Sequence, residues 1–142
     1  MPVAANPLKR DFFVYTFRVD GYPFYVGIGR SRRASDRERY VGSLRVSRNA
    51  AKLKRSSFSV RVMAELLRRN KKMFHSRTRA PLTRPQALQR EIKELRRLLA
   101  KGYFLTNWQH NPDRHRDAKK AVRRILYKRM RPAAKRHLVR RA

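Results

Sequence analysis

Apolar side chains fall into two short runs near the start of the chain and into helical periods farther along it. Phe12–Val19 and Phe24–Ile28 are rich in aromatic and β-branched residues, which favour strands. The segment Asp20-Gly21-Tyr22-Pro23 between them carries the Asp-Gly pair of a tight hairpin turn. This pattern predicts a β-hairpin over residues 11–28.

Helical signals follow the hairpin. The Arg-rich segment Arg30–Tyr40 is predicted to be a helix, and Phe58–Asn70 places apolar residues at the spacing of an amphipathic helix. Thr83 is a favourable N-cap with Pro85 in the first turn after it, so a further helix should begin there and end at Gly102.

The segments between these helices are less regular. Gly42–Arg55 is polar and basic without a clear period, and we interpret it as a loop. Lys71–Thr78 is interpreted as a third strand. Tyr103–Trp108 is apolar and should dock on the core, which makes its aromatic residues core rather than a base-stacking surface. The predicted fold class is therefore α/β, a small antiparallel three-stranded sheet flanked by helices, followed by a basic helical tail.

The tail is the most basic part of the chain. Residues 112–142 hold 13 Lys and Arg against two acidic residues, a charge of +11. Asp117–Met130 is predicted to form a basic helix within this tail. Its narrow apolar stripe consists of Ala118, Val122, Ile125 and Leu126. We divide the sequence into an N-terminal arm (1–10), a main domain (11–111) and this tail.

The net charge narrows the choice of partner. In 142 residues, 39 Lys and Arg stand against 9 acidic residues, a formal charge of +30. Self-repulsion of this size opposes compaction unless a polyanion screens it, so nucleic acid is the expected partner, with DNA favoured and RNA the alternative. No apolar run approaches the ~20 residues of a membrane span, and no membrane partner is expected. The oligomeric state is left open.

The residue types that are missing exclude some chemistry. The chain has no cysteine, which excludes disulfides, thiol catalysis and cysteine-based zinc sites. The four histidines lack metal-ligand spacing. The first residues lack the apolar core of a secretory signal. A cytoplasmic location is expected, with an organelle as the alternative.

Five short sequence features, each present once, follow one another in a definite order along the chain. They are Val14-Tyr15-Thr16, Phe24-Tyr-Val-Gly-Ile-Gly29, Arg33, Ala87-Leu-Gln-Arg-Glu91 and Leu105-Thr-Asn107. In order and spacing they resemble the GIY-YIG nuclease family, over about residues 11–110. The first motif matches by its tyrosine alone. Where a histidine often follows the family's arginine by four residues, this chain has an arginine.

The resemblance implies a role for each residue. Tyr15 or Tyr25 would activate water or act as general base, Arg33 would clamp phosphate oxygens, and Asn107 would orient the site. Glu91 would hold Mg²⁺ or Mn²⁺, hard cations that favour carboxylate oxygen. A phenol has a pKa near 10, so the surrounding arginines are expected to supply the cationic neighbourhood that it needs at neutral pH.

Several assignments have rivals. Glu94 competes with Glu91 on the same predicted helix, and other arginines compete with Arg33. Gly27 and Gly29 are expected to let the backbone approach a phosphate. The residues expected to contact nucleic acid are Gly27, Gly29, Arg30, Arg32, Arg37, Lys119, Lys120, Arg123 and Arg124.

Two functions from different classes follow. The resemblance implies a metal-dependent endonuclease that hydrolyses phosphodiester bonds in DNA. The charge density is also typical of a non-catalytic structural RNA-binding protein, such as a ribosomal component, built on the same scaffold. A third function, DNA compaction, has no helix-turn-helix or zinc-finger signature in its favour. A nuclease requires the five candidate side chains to converge on one face.

Overall fold

A three-stranded antiparallel sheet with helices on both faces confirms the predicted fold class. The computed structural model describes residues 9–44, 49–111 and 117–130. The elements in chain order are β1 (Phe13–Val19), β2 (Tyr22–Gly29), α1 (Arg33–Ser43), α2 (Ala50–Lys54), α3 (Phe58–Arg68), β3 (Met73–Arg77), α4 (Arg84–Ala100) and α5 (Ala118–Met130). Most of the predicted arm, and the tail after Met130, lie outside the described residues.

The strand order is β2-β1-β3, so β1 is central. Asp20 and Gly21 form the hairpin turn with φ of 52° and 82°, the left-handed conformation that the Asp-Gly pair accommodates. The predicted hairpin is thus confirmed, although β2 begins at Tyr22, two residues earlier than expected. Pro23 is tolerated there because β2 is an edge strand of the sheet and the register shifts beside it.

The central strand buries both of its faces. Tyr15, Phe17 and Val19 face a core that α1, α3 and α5 cover. Val14 and Val26 face a second cluster on the opposite side, which α4 covers. Successive side chains of a strand alternate between faces, so each residue of the hairpin has a fixed side.

Side-chain caps fix the starts of α3 and α4. Ser57 accepts a hydrogen bond from the backbone N–H of Val60 at the start of α3. Thr83 and Gln86 form a reciprocal capping box at the start of α4. Gly102, with φ of 88°, follows the end of α4. The predicted third strand and both helices are confirmed.

Two sequence-based predictions were wrong in part. The predicted loop Gly42–Arg55 contains the end of α1 and the short helix α2, whose single apolar anchor, Leu53, packs against the core. The apolar segment docks as expected through Phe104 and Leu105, but Trp108 is 46% exposed.

Helix α5 packs on the same core as α3. Its residues Ala121, Val122 and Ile125 are buried in the cluster that holds Phe17 and Phe104. The predicted apolar stripe is therefore the face that docks α5. Within the described ranges, each helix is too short or too polar to cross a bilayer.

Candidate active site

The segment that follows α4 forms hydrogen bonds with the outer edge of β2. The backbone N–H of Thr106 donates to the carbonyl of Phe24 at 2.7 Å. The Asn107 side chain then bonds both backbone groups of Val26: its Oδ1 accepts from the N–H at 3.0 Å and its Nδ2 donates to the carbonyl at 2.7 Å. Because both ends of this amide are occupied, Asn107 holds the segment against β2 and can act on a substrate only by positioning.

Tyr15 and Tyr25 lie on the same face of the hairpin. Tyr15 is paired with Gly27 and Tyr25 with Phe17, and the two phenol rings are 6.5 Å apart between centroids. Tyr15 is only 3% exposed, whereas Tyr25 is half-buried. The structure thus brings together the two tyrosines that the motifs single out.

The two glycines of the second motif make room for side chains. A Cβ on Gly27 would lie 2.7 Å from the ring and hydroxyl oxygen of Tyr15. A Cβ on Gly29 would overlap the Cβ and Cγ of Arg33. The space next to both glycines, which the sequence argument assigned to a phosphate, is occupied by Tyr15 and Arg33. Glycine at these positions therefore sets where two candidate catalytic side chains lie.

Arg37 covers the ring of Tyr25. Its guanidinium carbon is 4.9 Å from the ring centroid, a cation–π distance. Burial raises the pKa of the Tyr25 phenol, and Arg37 offsets this only in part. Weaker interactions with Tyr15 and Glu91 raise the same pKa, and Arg33 lowers it. Three of the other four candidate residues thus act on the pKa of this one phenol.

The pKa of the Tyr25 phenol is raised, which is the opposite of what the sequence led us to expect. The arginines were expected to bring the phenol pKa down toward neutrality, but the cost of burying a phenolate outweighs their charge. Tyr25 therefore stays protonated at neutral pH, so it can orient a water molecule or donate a hydrogen bond without being a phenolate.

Glu91 differs from other glutamates of the chain. Burial raises the pKa of its carboxyl, and His110 offsets this in part. Among the described residues, Glu91 makes no ion pair. This is notable in a sequence that has 39 Lys and Arg and only 9 acidic residues. By contrast, Glu94 is bonded to Arg97, which lowers the pKa of its carboxyl. Of the two candidate metal ligands on α4, Glu91 and Glu94, Glu91 is therefore the one whose carboxylate is not already paired with an arginine.

Among the described residues, the candidate metal site at Glu91 offers a single carboxylate ligand. No group of three or more His, Cys, Asp or Glu that could hold a metal occurs in the described ranges. Mg²⁺ commonly keeps several waters and takes one or two protein carboxylates together with substrate phosphate. A half-buried carboxylate without a salt-bridge partner fits that requirement, so Glu91 is suited to be a single ligand. His110, its neighbour, was not singled out by the sequence because it has no spacing signal.

Two cavities flank α1. One of about 430 Å³ lies beside Tyr15 and is also lined by Arg30, Ser35, His75 and Arg77. His75 Nδ1 lies 2.9 Å from the Glu38 carboxylate, a pair that the sequence did not indicate.

The second cavity, about 460 Å³, is lined by Arg33, Asp36, Arg37, Tyr40, Ser56, Ser57 and Val60. Each cavity is lined by two arginines, Arg33 and Arg37 in one and Arg30 and Arg77 in the other. Arg32, the N-cap residue of α1, is exposed beside them.

The other basic candidates lie on α5. Lys119, Lys120 and Arg123 are exposed there, and the Arg124 guanidinium lies over the Phe104 ring at 4.6 Å. The predicted nucleic-acid contacts therefore form two groups, one around α1 and one on α5.

Comparison of the chain with protein-family models, curated proteins and solved structures gives no significant match.

Proposed function

We propose that this protein is a GIY-YIG-type endonuclease that hydrolyses phosphodiester bonds in DNA with a divalent metal, Mg²⁺ or Mn²⁺. One observation carries the proposal: Tyr15 packs 6.5 Å from the half-buried ring of Tyr25 between centroids, and the charges of Arg33 and Glu91, from two further elements, act on the pKa of the Tyr25 phenol. Perturbed ionisable groups that meet in this way are typical of active sites.

The side chains have complementary tasks in this mechanism. Arg33 binds non-bridging phosphate oxygens through its planar set of donors. The protonated phenol of Tyr25 orients the attacking water, while Tyr15 packs beside it and limits the access of bulk solvent. Glu91 supplies the negative charge that a divalent metal requires, and the bound metal would stabilise the charge that develops on the phosphate. Asn107 keeps the strand edge next to Tyr25 in place.

The test compares two isosteric variants on one helix. We expect Mg²⁺-dependent cleavage of plasmid or branched DNA by the wild type and a loss of at least ~100-fold in Glu91→Gln, more than is typical for loss of a metal's outer-shell partner. Glu94→Gln, which removes a carboxylate bonded to Arg97, should cleave nearly as well as the wild type. Mg²⁺ should also raise the melting temperature of the wild type and not that of Glu91→Gln.

A second candidate function is structural RNA binding on the same scaffold. Arg37 over Tyr25 favours it, because an arginine stands where the family that the sequence resembles often has a histidine, and its guanidinium lies over the phenol ring. Binding alone does not separate the two functions, since a charge of +30 predicts tight and salt-sensitive binding for both. Binding without cleavage of DNA or RNA, and without a Mg²⁺ effect on melting, would favour the structural function. Under either function a cytoplasmic location remains the expectation.

A further inference from the structure

A groove of about 630 Å³ lies between α5, the end of α3 and the segment after α4. It is lined by Arg69, Phe104, Lys120, Ala121, Arg123, Arg124, Leu126 and Tyr127. Four of these residues are cationic, and two are aromatic. Arg69 is bonded to Glu65 at 3.1 Å, so one of the four charges is already partly neutralised.

The polar wall of the groove is one face of α5. Lys120, Arg123, Arg124 and Tyr127 stand at positions i, i+3, i+4 and i+7, which share a face of a helix. The opposite face is the apolar stripe that docks on the core. The cations and the tyrosine are therefore held by a helix that the core fixes, and they span ~10 Å along it.

Aromatic and guanidinium planes accompany the charges. Tyr127 is 50% exposed. The Arg124 guanidinium carbon lies over the Phe104 ring, 4.6 Å from the ring centroid. Unpaired bases stack on tyrosine rings and on guanidinium planes, while phosphates bind lysine and arginine. In a duplex the base faces are covered by their neighbours, so this combination of groups favours an unpaired strand.

The groove lies close to the hairpin that carries the candidate site. Phe104, which lines the groove, donates its backbone N–H to the Tyr22 hydroxyl at 2.6 Å. Tyr22 precedes Tyr25 by three residues on β2, which is ~10 Å along a strand. The groove therefore adjoins the strand that carries Tyr25.

We propose that the α5 groove binds a single-stranded segment of the nucleic-acid substrate, with a base stacked on Tyr127 and its phosphates on Lys120 and Arg123. This inference rests on the proposed nucleic-acid partner, but it does not require cleavage. It makes the bound nucleic acid, DNA or RNA, one that carries an unpaired segment.

The test is a metal-free binding titration by fluorescence anisotropy. The probes are short single-stranded DNA and RNA oligonucleotides, an abasic oligonucleotide of the same length, and a blunt duplex. Tyr127→Ala should weaken single-strand binding about 5- to 150-fold, the range expected for one stacked base. It should leave abasic binding unchanged, while Tyr127→Phe retains the wild-type affinity. The matched control is Phe74→Ala, which removes an aromatic ring that is 56% exposed on β3.

The charged residues give a separate readout. Arg123→Ala should reduce the slope of log affinity against log salt by about 0.7 for a single strand, and Tyr127→Ala should not change that slope. Equal affinity of Tyr127→Ala and wild type for single strands, or an equal loss on the abasic probe, would overturn the stacking inference. Either result leaves the cleavage test with Glu91→Gln unaffected, so the two proposals fail separately.

Discussion

Replacing Gly27 by alanine tests the packing that positions Tyr15. The new Cβ would lie 2.7 Å from the ring and hydroxyl of Tyr15, whereas ordinary carbon contacts begin near 3.4 Å. Tyr15 cannot retreat freely, because it is 3% exposed and packs edge-on against Phe17 at 5.7 Å. Either the ring or the paired strand must therefore move by several tenths of an ångström.

Overpacking of this kind costs about 1–3 kcal/mol. For a chain of this length each kcal/mol corresponds to ~3–4 °C in melting temperature, so Gly27→Ala should melt ~3–12 °C below the wild type. Thermal denaturation followed by circular dichroism measures this difference. Under the proposed function, the displaced phenol should also reduce cleavage.

The matched control is Gly42→Ala on α1. A Cβ at this position would meet no atom within 4 Å, and the residue is helical. Alanine should stabilise the helix there by about 0.5–1 kcal/mol relative to glycine. If Gly27→Ala melts as high as Gly42→Ala, then Tyr15 does not depend on the space beside Gly27 and the packing argument fails.

Further predictions concern Glu91 and Asn107. The pKa of Glu91 is raised in the folded state, so its carboxyl contributes stability that is present below its unfolded value near 4.5 and is lost as pH rises through the folded value. As the pH rises from 4 to 7, the melting temperature of Glu91→Gln should therefore increase relative to that of the wild type. The pKa of Glu94 is lowered in the folded state, so the melting temperature of Glu94→Gln should decrease relative to the wild type over the same range. Asn107→Ala leaves both backbone groups of Val26 unpaired and should cost ~2–4 kcal/mol in urea denaturation. Gln109→Ala, an exposed change nearby, should stay within ~0.5 kcal/mol of wild type, and equal midpoints for the two would contradict the assigned role of Asn107.

Elements with strong local signals could be predicted from the sequence. The Asp20-Gly21 turn, the Thr83 capping box and the apolar period of α3 each lie within a few residues, so no distant partner is needed to recognise them. Helix α2 was missed because its burial depends on Leu53 alone, and one apolar residue defines no period.

The candidate site was only partly predictable. The motif order singles out Tyr15 and Tyr25, which the fold places side by side, but the states of the candidate residues depend on neighbours that are distant in sequence. Gly27 is needed because the ring of Tyr15, on the other strand of the hairpin, fills the space beside it. The pKa of the Tyr25 phenol is raised because surrounding elements bury it. Glu91 and Glu94 look alike in the sequence, since both lie among basic residues on one helix. Only the fold shows that one is bonded to Arg97 and the other is not.

The side-chain amide of Asn107 has a consequence for self-association. An edge strand offers backbone donors and acceptors to which another chain can add, which is a common route to aggregation. On β2 these groups are bonded by Thr106 at Phe24 and by the Asn107 amide at Val26, while Pro23 has no N–H to offer. An asparagine thus takes the place of a neighbouring strand at Val26 and blocks intermolecular pairing at the middle of this edge.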